Sequence, residues 1–430
     1  MRWSPLFTRL RCSPRAHHSV CAAGAPTRRF RISVFRNAGL GAPMSVSTPP
    51  QFDLVLSGGT VLDPASGRNE RCDVAIAGER IAAIGSGLAG QAKQVIDTSG
   101  STVVPGLVEG HSHVFQDVSK VGAPADEAHL RRGVVAVADA GTAGASTFDA
   151  FRQLVVEGNA LRVVNFLNVS VLGLIDFRFG ELLNPDTLVV DDALAVAEQN
   201  PDVVRGFKIR LSEDVVGPHG ESLLKRSIAL AEQAGLPLMV HIGETEEPLP
   251  VVLEHLRPGD IVAHCYTGKP HGILDGDAVL AEVMAARERG VLFDSAHGKS
   301  NLSFEVARRA IANGFLPDVL SSDTSARNWR GPVFDLVTSI AKLVALGAPL
   351  AECIRRATVA PARVLGLDRE GYGRLTVGGR ADVTVLTETS EVVLPDAAGN
   401  VITAARLEPT TVIHNGALVE TVPWRGGVSA

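Results

Sequence analysis

Between residues 103 and 323 the chain repeats one pattern: a short run of β-branched and apolar residues, then a longer stretch with apolar residues at helical spacing. Such alternation marks βα units, in which each helix carries the chain back so that successive strands lie parallel. The strand runs fall at 103–113, 134–141, 162–171, 204–211, 237–241, 261–264, 291–294 and 319–323. Between them, Leu223, Leu224, Ile228 and Ala231 precede a stop at Gly235, and Val279, Val283 and Ala286 precede one at Gly290. That is the spacing of helices with one buried face. Eight units in roughly 260 residues predict a (β/α)8 TIM-like barrel, whose chemistry sits at the C-terminal ends of its strands.

The flanks read differently. Short strands broken by Gly and Pro are expected at 52–57, 60–62, 73–77 and 80–84, and again at 373–377, 381–386, 410–414 and 418–422. Neither set buries a core alone, so together they predict one small β-sandwich, built from residues 52–103 and 370–424, beside a barrel of 104–369. Residues 1–50 hold eight Arg and no Asp or Glu. Pro5, Pro14 and Pro26 interrupt any amphipathic helix there, so a disordered basic extension is expected in preference to a transit peptide. Met44 is the expected start of translation, with an unpacked tail or an over-extended gene call upstream of it.

Composition removes several classes of function. A net charge of -6 offers no electrostatic footprint for nucleic acid, and no apolar run reaches the length of about 18 residues that a membrane span needs. Five cysteines without a C-x-x-C pair point to free thiols in a reducing compartment. The expectation is a cytoplasmic protein with a small-molecule partner, a homo-oligomer remaining open.

The expected strand ends carry an unusual inventory: His111 and His113 on the first, Lys208 on the fourth, His241 on the fifth, His264 on the sixth and Asp323 on the eighth. His111 and His113 project to one face, because side chains alternate along a strand. Any one of these residues has an ordinary explanation as a core histidine, a surface lysine or a helix cap. Six together, at the end of a barrel where active sites lie, point to metal binding. Neutral imidazoles suit Zn²⁺, and a shared anion lets two cations sit about 3.5–4 Å apart. An ammonium cannot be that anion, but a buried, neutral Lys208 can add CO₂ to become a carbamate. The small residues Gly141 to Ala145 are expected to leave room beside the pocket.

With these motifs in place, Pro105-Gly106 before His111-x-His113, the strand-borne Lys208, His241, His264, Asp323, the segment 357–367 and Gly378-Gly379-Arg380-Ala381-Asp382-Val383, the chain resembles the amidohydrolase superfamily from about Phe52 to Val422. The resemblance implies a metal-dependent hydrolase with two divalent ions, most commonly zinc. It implies His111, His113 and Asp323 on one ion, His241 and His264 on the other, and carboxylated Lys208 between them. It departs from the family at Val108-Glu109-Gly110, where members commonly carry Ile-Asp before the residue preceding the first histidine. Within the superfamily the chain is most similar to the deacetylase-like group, some of whose members carry a dihydroorotase label. Dihydroorotases usually place an Arg two residues beyond the second histidine to hold the substrate carboxylate, and that position is Phe115.

The implied reaction is hydrolysis of an amide or ester of a small acylated compound, acetylated in type and carboxylate-bearing, by a metal-bridging hydroxide. Asp323 would act as base and then acid, and no organic cofactor is called for. The alternative is a cyclic amide or imide hydrolase of dihydroorotase or hydantoinase type. The likeness also makes 263–268 and 294–298 substrate-facing loops. His297 is a candidate for orienting substrate or stabilising an oxyanion, and Arg210, Lys269 and Arg327 are candidates for binding a substrate carboxylate.

Overall fold

The computed structural model describes residues 51–424, so the basic extension expected at 1–50 lies outside the described residues. Seven parallel strands form one curled sheet in sequence order: β1 (Leu107–Ser112), β2 (Val134–Ala140), β3 (Arg162–Asn168), β4 (Val204–Arg210), β5 (Leu238–His241), β6 (Ile261–Ala263) and β7 (Leu292–Asp294). Their apolar side chains are almost wholly buried, β2 along its entire length. This is the barrel that the alternation predicts.

The expected eighth strand closes the ring without forming a ladder. It meets β7 and β1 through single parallel bridges, Asp294 to Val319 and Ser112 to Thr324. Of the intervening amides only that of Asp323 reaches a carbonyl of β1, His111 O, while Leu320 N–H donates to Arg356 O, Ser321 N–H to Ser295 Oγ and Ser322 N–H to the Glu109 carboxylate. Asp323 then turns the backbone left-handed, at φ +50°.

The run read as one strand over 103–113 is two. Thr102–Pro105 belongs to another sheet, and β1 starts after a pivot at Gly106, where a Cβ would lie 2.6 Å from Val135 Cγ2. Helix Gly220–Ala234 ends as expected at a left-handed Gly235, with Leu223, Leu224 and Ala231 buried. Helix Ala281–Glu288 starts later than the spacing suggests, because Val279 pairs in a short hairpin.

Strands from both ends of the chain share a second core. One sheet runs Arg80–Gly85, Asp73–Ala77, Phe52–Ser57, Ala92–Asp97, and the other Ala417–Val419, Val401–His414, Val383–Pro395, Thr102–Pro105, Thr60–Asp63, Arg68–Arg71. Leu54, Val74 and Ile76 from the early strands pack with Val383, Val385 and Ile413 from the late ones. The segment 373–377, expected as a strand, is irregular: Gly373 is left-handed and lies against Thr358 O, where a Cβ would come within 2.7 Å.

Val383–Pro395 and Val401–His414 extend far beyond the expected 381–386 and 410–414. Past Leu386, the last residue paired with Thr102–Pro105, they continue as a two-stranded hairpin. Its tip reaches the barrel, where Ala397 N–H donates to Leu302 O at 3.0 Å and Phe304 N–H donates to Asp396 at 3.1 Å. Among the described residues no helix is long and apolar enough to cross a membrane, and Cys72, Cys265 and Cys353 are free thiols.

Candidate active site

At the C-terminal ends of the barrel strands lies a cavity of about 440 Å³, and His111, His113, Lys208, His241, His264 and Asp323 all line it. The imidazole rings form a chain, with centroids 5.9 Å apart for His111 and His113, 5.3 Å for His111 and His264, and 4.2 Å for His264 and His241. Ligand atoms of His111, His113 and Asp323 lie within 4.8 Å of one another, all three residues being buried.

Three of the four rings are oriented by a rear nitrogen. His111 Nδ1 is 3.0 Å from Asp294 Oδ2, His113 Nδ1 is 2.8 Å from Thr142 Oγ1, and His264 Nδ1 is 2.7 Å from Ala296 O. This turns Nε2 inward: His113 Nε2 is 3.3 Å from Asp323 Oδ1 and His111 Nε2 is 3.9 Å from it. Burial pushes His111 and His241 well below the usual imidazole range and His264 down to about 3. Burial thus favours the neutral imidazole at His111, His241 and His264, and a neutral imidazole can offer a ring-nitrogen lone pair to a metal. Burial opposes ionisation of Asp323, yet the hydrogen bond from His113 and the surrounding imidazoles hold its carboxyl well below the usual carboxylate range. The donor set of imidazole and carboxylate therefore fits a divalent, zinc-like cation.

Lys208 lies fully within the protein, its Nζ 3.3 Å from His111 Nε2, and burial pushes its amine down to about 8. Its stem lies over Gly141, where a Cβ would sit 2.6 Å from Lys208 Cγ. The small residue is thus required by the lysine. A depressed pKa makes the neutral, CO₂-reactive amine accessible near neutral pH.

Two ligands sit in backbone conformations that side chains seldom adopt, His264 at φ +71° and Asp323 at +50°. Such conformations concentrate where function over-determines the backbone. Glu109 helps to hold this geometry: its buried carboxylate accepts from His111 N–H at 3.1 Å, from Ser322 N–H at 3.0 Å and from the Ser322 hydroxyl. Burial pushes its carboxyl up to about 8. The longer side chain in the family's usual Asp position therefore reaches across to the closing segment.

Of the remaining sequence candidates, Arg210, Lys269 and Arg327 line the cavity. His297 does not. Its ring is buried, with Nδ1 2.8 Å from Gly298 O and Nε2 2.7 Å from Lys342 Nζ, so the imidazole serves the loop beneath the site. Phe115, at the position of the dihydroorotase arginine, packs edge-on against Phe151 in the core. The sequence reading missed Asp294, Thr142, Phe177, Lys299, Asn301 and Ala397. Asp294 and Thr142 were accessible to it, standing at or just past strand ends inside loops already singled out. Nothing local marks Ala397, whose place depends on a hairpin from the far end of the chain.

Residues 102–419 match the model of the amidohydrolase family. A deacetylase of Agrobacterium fabrum is 33% identical over 366 residues, covering 84% of this chain and 89% of its own. A deacetylase of Enterococcus faecalis is 31% identical over 377 residues, covering 86% and 99%. Among solved structures, a dihydroorotase superposes with TM-score 0.79 at 30% identity over 86% of this chain and 99% of that one, and an adenine deaminase with TM-score 0.78 at 30% identity over 86% and 100%. Three reactions are named among these four proteins, so the choice of substrate must be argued from the cavity.

Proposed function

The chain belongs to the amidohydrolase family and is a metal-dependent hydrolase acting on C–N bonds, and from that premise we propose that it deacylates a small N-acyl or O-acyl compound, acetylated in type, that carries a carboxylate. The deacetylase-named relatives support the acyl group. One observation carries the carboxylate: the cavity presents cations that the protein itself does not neutralise.

Besides Lys208, four basic side chains line the cavity. Arg210 pairs with the buried Glu181 at 3.1 Å and Lys269 with Glu244 at 2.9 Å. Among the described residues, Arg327 and Lys299 have no carboxylate within ion-pair distance. Arg327 is instead stacked on Phe177, its guanidinium 4.8 Å from the ring centroid, with Arg210 at 4.9 Å from the same ring. A guanidinium held by an aromatic face is pre-aimed and lacks its anion, which is how a site reads a carboxylate.

In this reading His111, His113 and Asp323 would hold one divalent ion, His241 and His264 the other, and carboxylated Lys208 would be shared between them. The ions, when bound, would polarise the scissile carbonyl and lower the pKa of water to about 7. Asp323 takes the proton of the attacking water on a carboxylate oxygen and returns it to the leaving nitrogen or oxygen. Asp294, Thr142 and the Ala296 carbonyl keep the rings aimed, while Arg327 and Lys299 anchor the far end of the substrate.

The alternative, a cyclic amide hydrolase, draws support from the dihydroorotase neighbour. Against it stands Phe115, buried where such enzymes usually carry an arginine. Parallel turnover of N-acetyl amino acids, O-acetyl hydroxy acids, dihydroorotate and hydantoins by the zinc-loaded protein separates the two, and turnover of the rings alone refutes the proposal. Within the proposal, Arg327→Met should lower kcat/KM on a carboxylate substrate by at least about tenfold, ~1.4 kcal/mol. On the methyl ester of that substrate, wild type and variant should converge, and a persisting gap would show that Arg327 does not read the carboxylate.

A further inference from the structure

Asp323 presents its two oxygens to different neighbours. Oδ1 faces the histidine pair, 3.3 Å from His113 Nε2. Oδ2 packs close over Gly298, where a Cβ would clash, 2.5 Å from Asp323 Oδ2 and 2.8 Å from Asn301 Nδ2. The Asn301 carboxamide and the second oxygen of Asp323 therefore both pack over Gly298, within about 5 Å of each other. Asn301 also lines the cavity, and it is only 5% exposed.

Its Oδ1 is buried without a hydrogen-bond donor. A buried amide acceptor left unmade is costly, and such groups are uncommon unless something else supplies the partner. No hydrogen bond fixes which end of the carboxamide faces the cavity, so a half-turn of its last torsion presents either N–H or C=O there. The backbone around it is fixed. Gly268 N–H donates to Asn301 O at 3.2 Å, Leu302 N–H donates to His297 O at 2.9 Å, and the hairpin tip holds Leu302 O through Ala397 N–H at 3.0 Å. Asp396 secures that tip by accepting from Phe304, Ala398 and Asn400 backbone N–H groups. A side chain free to turn on a clamped backbone is suited to meet an incoming group.

We propose that Asn301 contacts the reacting group of the substrate beside Asp323, accepting from its N–H, and thereby makes this site selective for amides over the corresponding esters. The inference rests on the acyl-hydrolase reading above. An amide supplies the donor that the Asn301 oxygen lacks, at the place where Asp323 returns a proton to the leaving nitrogen. An ester has no such hydrogen, so against it the same oxygen stays unpaired.

The test compares N-acetylglycine with O-acetylglycolate, which differ at the scissile position only in NH against O. With the zinc-loaded full chain, Asn301→Leu, close to asparagine in size, should lower kcat/KM for the amide at least tenfold and for the ester less than threefold. Metal content, measured separately, should stay at the wild-type value. Equal losses on both compounds, or none on either, overturn the inference. Should the wild-type protein hydrolyse neither compound, the functional reading fails on its own. The inference is then decided by calorimetric binding of the same pair, where equal effects of Asn301→Leu on the two affinities overturn it.

Discussion

Replacing Lys208 by alanine should remove one of two bound divalent ions and lower kcat by about a thousandfold, ~4 kcal/mol. Lys208 Nζ lies 3.3 Å from His111 Nε2 in a fully buried position, where an ammonium would repel any cation held by the rings. A carbamate at the same place turns repulsion into ligation and supplies the negative charge that neutral His241 and His264 lack. Alanine leaves neither. Elemental analysis of the purified variant provides the measurement, and two ions per chain in Lys208→Ala would remove the lysine from the bridge. Lys208→Glu is the companion variant, since a carboxylate on a shorter stem should recover part of the second ion.

Asp323→Asn should act on the proton inventory while sparing most of the cavity. The carboxylate lies well below the usual range, held there against burial by the hydrogen bond from His113 and the nearby imidazoles, so it is ionised throughout the working pH range and ready to accept a proton. Asparagine preserves shape and offers a weaker ligand oxygen, but it cannot take up and return a proton. Loss of general acid–base catalysis at one group costs typically about 10²- to 10⁴-fold, so kcat should fall into that range while KM moves by less than about threefold. The pH profile is the sharper readout. The variant's residual kcat should rise with hydroxide concentration where the wild-type rate is flat, and an unchanged profile would assign the proton transfer to another group.

Much of this centre is legible in the sequence because barrel strands place their last residues on one rim. His111, His113, Lys208, His241, His264 and Asp323 follow from strand positions alone, and the structure gathers all of them around one cavity. His297 shares that placement yet turns away, because an imidazole one residue past a left-handed Ala296 points where the local backbone sends it, toward Lys342. The edge strands Arg68–Arg71 and Ala92–Asp97 escaped notice for a different reason. Most of their side chains are exposed or polar, so no apolar alternation betrays them, and pairing with better-patterned neighbours makes them strands. The outer part of the long hairpin has the same character. Its function at Asn301 depends on contacts between residues nearly a hundred positions apart, which no local periodicity records.

The way the barrel closes ties metal loading to the survival of the fold. First and last segments of the ring meet through one bridge, Ser112 to Thr324, through the Asp323 N–H to His111 O and His113 N–H to Thr324 O hydrogen bonds and through the Glu109 clamp, so this seam has less backbone bonding than the longer ladders of the sheet. Any ion held jointly by His111, His113 and Asp323 is a cross-link over that seam, and its binding free energy becomes resistance to unfolding. Each tenfold excess of free metal over its dissociation constant then adds about 1.4 kcal/mol. Chelation should accordingly lower Tm and expose residues 319–335 to proteolysis before the rest of the barrel. A chelated protein cut first elsewhere would place the weakest joint away from the metal centre. The ligands that perform the chemistry would thus also act as the latch of the barrel, so that a chain short of metal loses its architecture along with its activity.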